Sequence, residues 1–459
     1  MSEIIKYQGF DHVWKYTGPW FYYMLAAYIC LPIIAYKLLP YFSQSRRSPS
    51  RKSVLIFVLG DLGHSPRMSY HALSFSKAGF DVSLCGYIET RPLDEIVDDL
   101  NIDIVPIGVV HNVYNFPFAI FAAQKILTQV KQLVKLLWNR GGEMDVVMIQ
   151  NPPSIPILLI VLLFKFFIHR HWKVVIDWHN LNYTILNLRF QNVNHPFVKL
   201  MKLYESFLGK FADLNITVTK KMKKFLINDF GVAKSKVTTF YDRPGTQFMP
   251  AESTDIRKSH EIFQDIKDIE LYKILISSTS FTPDEDFDLL LDALKIYDNL
   301  EKSNAPPILL IVTGKGPLKE KFVQRVIELD YSPKIIVKTA WLTSEDYPKI
   351  LAQADLGISL HTSSSGIDLP MKIVDFFGCG VPVISLSFPA IDELVKDGDN
   401  GLIARKSTAE NLVELLEKVF VDDDLLSNLK EGALRESKSR WEENWTTVLR
   451  SKFVNKQSK

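Results

Sequence analysis

Residues 53–59 read Ser53-Val54-Leu55-Ile56-Phe57-Val58-Leu59, a continuous apolar run. Strands of that kind lie inside parallel sheets, covered on both faces. Gly60-Asp61-Leu62-Gly63-His64-Ser65-Pro66-Arg67 breaks the run and opens a helix over 68–78, and a second strand starts at Gly79-Phe80-Asp81-Val82. Strand, loop and helix recur through Ile104-Val105, Val146-Val147-Met148-Ile149 and Lys173-Val174-Val175-Ile176-Asp177. Such alternation implies an α/β fold, a parallel sheet with helices on both faces. Gly60 and Gly63 lack the third glycine of a dinucleotide fingerprint, which disfavours a nucleotide-dependent oxidoreductase.

Open sheets of this type keep their chemistry at the carboxyl ends of the strands. Asp61, Arg67, Asp177 and His179 all fall at such ends, so one edge gathers two acids, a guanidinium and an imidazole. Taken singly, each also reads as a structural cap.

A polar, breaker-containing stretch from Tyr241-Asp242-Arg243-Pro244-Gly245 to about residue 270 separates this unit from a second one. A chain of 459 residues is long enough for two domains of ordinary size. The second sheet begins at Tyr272-Lys273-Ile274-Leu275-Ile276 and continues at Ile308-Leu309-Leu310-Ile311-Val312. Thr313-Gly314-Lys315-Gly316-Pro317 then forms a glycine loop before a helix. A helix N-terminus with a lysine in its loop suits phosphate, although the spacing is not that of a P-loop. Asp284 and Asp286 resemble a metal-binding pair, but acids in a first helical turn favour the helix dipole without a metal. No protein-bound metal site is therefore expected, a divalent cation remains compatible with the chemistry, and no tightly bound cofactor is expected.

The densest functional signal runs from His361 to Ile384. Ser363, Ser364, Ser365 and Gly366 bend the backbone and offer hydroxyls and amides to an anion. Asp368 is placed to cap a helix with Pro370 in its first turn. Asp368, Lys372 and Asp375 would then share one helix face. Gly378 and Gly380 end the helix before a buried strand at Val381-Pro382-Val383-Ile384.

Residues 20–42 are apolar apart from Lys37, and as a helix they span about 35 Å, enough to cross a bilayer. Trp20, Tyr22, Tyr23, Tyr36 and Tyr41 sit toward its ends, where aromatic rings favour the interface. Arg46, Arg47, Arg51 and Lys52 follow it, against Lys6 and Lys15 before it, which places the body in the cytosol. The expected organisation is a lumenal 1–19, an anchor at 20–42, a basic 43–52, a first domain at 53–245 and a linker at 246–270. A second domain at 271–434 and a crossover helix and tail at 435–459 complete it. The very apolar segment 155–168 is too short to span and reads as a buried helix, with a dip into the leaflet as the alternative. Lys and Arg (54) nearly balance Asp and Glu (52), so no nucleic-acid partner is implied. Three scattered cysteines fit a reducing compartment.

Two resemblances sharpen this reading. The 361–384 stretch is similar to the sugar-nucleotide motif of GT-B glycosyltransferases, which have two facing Rossmann-like domains. There two Glu residues with seven residues between them precede a small-Gly-x-Pro run. Asp375 falls on the second Glu, while the first would fall on Ile367, one residue from Asp368. Phe281 and Asp286 stand where the wider pattern has Arg and Lys, so the resemblance assigns donor phosphate to Lys315 and Lys372. Gly60 to Met68, Asp177-Trp178-His179-Asn180, Ser280 to Asp286, Thr313 to Lys319 and Ser363 to Lys372 together resemble the fungal-type chitobiosyldiphosphodolichol β-mannosyltransferase family.

That resemblance implies transfer of the first mannose from GDP-mannose, in β-1,4 linkage, to dolichol-diphosphate-chitobiose at the endoplasmic-reticulum membrane. One inversion requires a base, for which Asp61 comes first, then His179 and Asp177. Gly314, Lys315, Gly316, Ser364, Ser365, Gly366, Asp368, Lys372 and Asp375 would hold the donor, with Asp375 on the ribose. Arg67 or Arg243 would meet the acceptor diphosphate. Other enzymes of lipid-linked oligosaccharide synthesis, or a second copy of the chain, are possible partners. The alternatives are a tethered GT-B glycosyltransferase with another sugar nucleotide, and a non-catalytic GT-B scaffold.

The chain carries sequons at Asn182-Tyr183-Thr184, Asn215-Ile216-Thr217 and Asn444-Trp445-Thr446. With the body in the cytosol none is modified, so endoglycosidase treatment of the cellular protein leaves its gel mobility unchanged. A shift would put the body in the lumen.

Overall fold

The apolar runs of the first half become seven parallel strands in the computed structural model, which describes residues 19–42, 51–253, 255–282, 285–300 and 304–454. They are β1 (Lys52–Asp61), β2 (Phe80–Tyr87), β3 (Ile102–Pro106), β4 (Val146–Asn151), β5 (Lys173–Trp178), β6 (Leu214–Thr217) and β7 (Val237–Thr239). Their order is β3-β2-β1-β4-β5-β6-β7. No side chain from Val54 to Val58 is exposed, which is why β1 shows no polar alternation. Chain direction across the sheet reverses between β1 and β4, and the crevice opened there is floored by the carboxyl ends of the strands.

The second sheet repeats the scheme with β8 (Lys273–Thr279), β9 (Ile308–Gly314), β10 (Ile335–Ala340), β11 (Leu356–Ser359), β12 (Val383–Leu386) and β13 (Gly401–Ala404). Its order, β10-β9-β8-β11-β12-β13, reverses between β8 and β11. Each sheet has an apolar core on both faces. The stretch expected as a linker is folded: short helices at Asp255–Ser259 and Glu261–Gln264 bury Ile262 and Phe263 against Ile274 and Ile276.

The last helices return to the first domain. Helix Trp441–Val448 lays Trp441 against Tyr70 and Phe240, with ring centroids 5.3 and 4.9 Å apart, and Trp445 against Phe75 at 5.3 Å. Both indoles are satisfied: Trp441 Nε1 donates to Ser74 Oγ at 3.0 Å and Trp445 Nε1 to His71 Nδ1 at 3.2 Å. The helix thus packs on the first domain and pins the helix Pro66–Lys77.

Helix Pro19–Phe42 is long and apolar enough to cross a membrane, with a mean hydropathy of 1.5 over Trp20–Leu39 and none of that window buried. Lys6, Lys15, Arg46 and Arg47 lie outside the described residues. The helix meets the body near Tyr36, whose ring packs on Phe167 at 6.3 Å and carries the Arg170 guanidinium at 3.4 Å. Segment 155–168 forms helix Ile157–Phe167, and it is buried on one face only: Leu158, Val161 and Leu162 are inside, while Leu159, Leu163, Phe166 and Phe167 are exposed. Asn215 of the second sequon is fully buried and accepts from Trp178 Nε1 at 2.8 Å.

Removing a buried indole from the crossover helix should loosen both domains. Trp445→Ala is expected to cost about 3–5 kcal/mol, read as a lowered urea midpoint for the detergent-solubilised chain. A midpoint unchanged from the parent would mean that the helix is an appendage.

Candidate active site

Asp61 ends β1, and its carboxylate closes a loop. It accepts from Glu89 N at 3.0 Å, Thr90 N at 3.1 Å and the Thr90 hydroxyl, and faces His64 Nδ1 at 2.7 Å. Burial acts to raise its pKa, but these hydrogen bonds outweigh it and hold the group below the usual carboxylate value. The result is an ionised carboxylate that staples the β2 exit loop to β1.

Asp177, near the end of β5, is fully buried and bidentate with Arg67, at 2.8 Å to Nε and 2.9 Å to Nη2. Arg67 also donates to Asp242 Oδ1 at 2.6 Å and to the Phe240 carbonyl at 3.2 Å. Arg67 was expected at the acceptor diphosphate, and the structure corrects this. With 1% of its surface exposed and its fork committed to two carboxylates, the guanidinium cannot reach a ligand without leaving a buried charge unpaired. Desolvation tends to raise the pKa of Asp177, yet Arg67 and His179 hold it well below the usual range. His179 Nε2 lies 2.9 Å from Asp177 Oδ2 and its side chain is 23% exposed. An ionised Asp177 only accepts, so Nε2 carries the proton and Nδ1 is the basic nitrogen.

The second domain offers a close-packed glycine loop at Gly314–Gly316. Gly314 has φ +144°, and a Cβ there would lie 1.8 Å from the Thr279 carbonyl oxygen; at Gly316 it would lie 1.7 Å from that of Ser280. Only glycine allows the two strand-end loops to approach this closely. Lys315 is exposed over the Trp341 ring at 4.0 Å. Lys372 pairs with Glu285 at 2.8 Å, and Glu285 also accepts from Ser280 N at 3.2 Å. Asp286 caps helix Phe287–Asp298 through Leu289 N, as expected of a first-turn acid, while Asp284 lies outside the described residues.

The reading of Asp368 needs correction. The helix begins at Met371 with Pro370 in the cap position, so Asp368 neither caps it nor shares a face with Lys372 and Asp375. Instead it accepts from the hydroxyls of Ser363 and Ser365 and lies 3.4 Å from His361 Nε2. Despite burial, those donors keep its pKa below the ordinary value. Asp375 behaves oppositely: burial and then the Asp242 carboxylate push its pKa well up, and Tyr347 Oη lies 3.5 Å from it.

The two faces meet at few points. Asn180 Nδ2 donates to Ser364 Oγ at 3.2 Å, Thr184 Oγ1 lies 3.1 Å from the same oxygen, and Thr219 Oγ1 donates to the Ile367 carbonyl at 2.6 Å. His179 is thus one residue from a direct bridge to the serine loop. Glu393 accepts from Lys220 N at 2.7 Å, Lys221 N at 2.8 Å and Tyr241 Oη at 2.7 Å. Arg243 pairs with Glu436 at 3.0 Å and lines an interdomain cavity of about 330 Å³. Asp61 and Lys315 make their contacts within their own domains. Sequence reasoning missed Glu285, Tyr347, Trp341 and Glu393. Glu285 hid in an acidic run read as helix-turn charge, and the others are linked to the site only across long separations.

Comparison with known proteins shows the family and the fold of this chain. The family profile for glycosyl transferases group 1 matches residues 258–436, and that for Glycosyltransferase Family 4 matches residues 68–242. A Candida albicans chitobiosyldiphosphodolichol beta-mannosyltransferase is 62% identical, covering 99% of this chain and 100% of the relative. The Homo sapiens protein of that name is 36% identical, covering 93% and 97%. Among solved structures, sucrose-phosphate synthase from Thermosynechococcus elongatus aligns over 87% of this chain and 97% of that chain, with TM-score 0.65 and 14% identity. Anabaena HepE in complex with UDP and glucose aligns over 85% and 96%, with TM-score 0.59 and 14% identity. At that identity the likeness concerns the fold, two facing Rossmann-like domains of GT-B type.

The Arg67–Asp177 pair makes a pH-dependent demand. Asp177→Asn leaves a buried guanidinium short of a charge and is expected to cost about 3–5 kcal/mol at neutral pH. The parent pKa is depressed in the folded state, so its contribution is present above the ordinary carboxylate value and is lost as pH falls through the folded one. Urea midpoints from neutral to acid pH should therefore fall more steeply for the parent than for the variant. Parallel pH curves would remove the pair from this role.

Proposed function

The chain belongs to the chitobiosyldiphosphodolichol beta-mannosyltransferase family, and from that premise we propose that it transfers mannose from GDP-mannose to dolichol-diphosphate-chitobiose, in β-1,4 linkage and with inversion. The observation that carries this reading is 62% identity sustained over 99% of the chain with a protein of that name. The proposed setting is the endoplasmic-reticulum membrane, with helix Pro19–Phe42 as anchor and the body in the cytosol.

The acceptor's C4 hydroxyl oxygen attacks mannosyl C1 in line, the bond from C1 to the diphosphate breaks, and GDP leaves with its electron pair. Lys315, Lys372 and the amides of the Ser363–Gly366 turn meet the charge that develops on the leaving diphosphate. Asp375, beside Tyr347, holds ribose hydroxyls. Among the candidate bases, geometry favours His179 over Asp61. Its Nδ1 takes the acceptor proton while Asp177 holds Nε2–H and stabilises the resulting imidazolium. Asp61 has its oxygens committed to the β2 exit loop. Of the two arginines first considered, Arg243 remains to meet the acceptor diphosphate. No metal is assigned a step.

The decisive assay offers radiolabelled GDP-mannose or UDP-GlcNAc with a lipid-linked chitobiose. Label transferred from GDP-mannose alone is expected, and transfer from UDP-GlcNAc instead would overturn the donor. His179→Ala should lower turnover by about 10²–10⁴-fold with donor affinity kept. Near-parental turnover there, with turnover abolished in Asp61→Asn, would return the role of base to Asp61. Lys315→Ala should weaken GDP binding by about 1.5–3 kcal/mol, and unchanged calorimetric affinity would release Lys315 from the site.

A further inference from the structure

The segments that the proposal above places at the donor diphosphate converge on one buried carboxylate. Glu285 has 7% of its surface exposed. Its Oε2 accepts from the Thr279 hydroxyl and, at 3.2 Å, from Ser280 N, both at the exit of β8. Its Oε1 meets Lys372 Nζ of helix Met371–Gly378 at 2.8 Å. Its backbone pairs with that of His361, just before the serine turn.

The exit of β8 in turn carries the glycine loop. Phe281 N donates to Thr279 Oγ1 at 2.7 Å, and the Phe281 carbonyl accepts from Leu318 N at 3.1 Å. The Ser280 carbonyl is the atom that a Cβ at Gly316 would strike. Glu285 therefore fixes Lys372 in register with the loop that holds Lys315.

Lys372 needs such a partner. It stands in the first turn of its helix, where the positive end of the dipole disfavours an ammonium. Its side chain is 32% exposed, so a phosphate oxygen can reach the outer side of Nζ while Glu285 keeps the inner one. The two lysines assigned to the diphosphate thus differ. Lys315 rests on the Trp341 ring, and Lys372 already has one negative charge set against it. We infer that Glu285 is a positioning residue for the leaving diphosphate: it aligns Lys372 with the glycine loop and competes for the same ammonium, so that the site grips GDP less tightly than its lysines alone would. The inference rests on the placement of Lys372 at the donor diphosphate given above.

Charge and bracing separate by substitution. In Glu285→Gln, Oε1 keeps the Thr279 and Ser280 donors, while Nε2 turns toward Lys372 and, being a donor, releases it. In Glu285→Ala the loop contacts go as well. A competing carboxylate therefore predicts effects of opposite sign on GDP affinity, and a mere brace predicts losses from both.

The test is calorimetry of the full detergent-solubilised chain with GDP and, in parallel, UDP. Glu285→Gln should bind GDP about fivefold more tightly than the parent at low salt, and the difference should shrink as salt screens it. Glu285→Ala should bind GDP more weakly than the parent. Lys372→Met should weaken binding, and adding Glu285→Gln to it should change nothing further. Unchanged or weaker binding by a Glu285→Gln chain that melts with the parent would overturn the inference, as would an equal gain in the Lys372→Met background. Lys372→Met decides independently of how Glu285→Gln folds, since parental affinity there overturns the inference alone. Both nucleotides carry the diphosphate. A chain that binds UDP in place of GDP would sink the donor reading above, while the effect of Glu285→Gln on the nucleotide that binds still decides this one.

Discussion

A single buried ion pair, Arg67 with Asp177, joins most of what this fold must hold together. Arg67 stands on the first helix after β1, Asp177 near the end of β5, and Asp242 in the crossing toward the second domain. One guanidinium thus ties a helix, a strand end and the hinge. Its planar fork meets Asp177 bidentately and still reaches Asp242, geometry that a lysine's point charge cannot reproduce. Two carboxylates against one cation would leave a buried excess of negative charge. The further contacts explain how it is tolerated: His179 and His71 both approach Asp177 Oδ2, at 2.9 and 3.4 Å. The Trp445 indole donates to His71 Nδ1, so the proton of a neutral His71 sits on Nε2, facing Asp177. The crossover helix is therefore connected through His71 to the carboxylate that orients His179.

That network also explains which parts could be read from sequence. Strands such as β1 are legible because burial on both faces requires apolar residues in succession, a local property. The reversal points and the functional edge follow from the same alternation, and the resemblance to GT-B enzymes rests on loops at that edge. Side-chain partners are another matter. Arg67 looks like an exposed loop cation until the fold brings Asp177, 110 residues away, and Asp242, 175 residues away, against it. Asp368 resembles a helix cap because Pro370 follows two residues later. In the fold the serines of its own loop take its oxygens before the helix starts. Short-range rules rank the local options, and a long-range contact or a competing hydrogen bond selects among them.

Alongside Ile367, which packs on the core of the first domain, the domains touch through polar atoms, which suits a site that must admit a nucleotide and a lipid-linked sugar from different sides. Glu393 carries much of that contact by accepting from the first two amides of helix Lys220–Asn228. Those amides have no partner within their own helix, so the interdomain bond replaces solvation and does not break structure elsewhere. Such a contact reforms readily after opening. The apolar crossover helix behaves differently, since separating Trp441 and Trp445 from the first domain would expose two indoles and their ring partners. The chain thus has a largely polar contact between its domains on one side and an apolar one, at the crossover helix, on the other.

Placing a hinge on one side and a membrane on another restricts which domain moves. With helix Pro19–Phe42 in a bilayer, as proposed, the first domain carries the anchor contacts at Tyr36, and tilting it would draw exposed side chains such as Phe167 away from the anchor. Burial of such side chains is worth about 1.5–3 kcal/mol each, well above the cost of parting a few hydrogen bonds at about 1 kcal/mol apiece. On the proposed topology, opening would therefore swing the second domain away from a first domain held by the anchor. His179 would then keep its position relative to the anchor. A soluble donor can then be exchanged each cycle without disturbing the position of a substrate that cannot leave the bilayer.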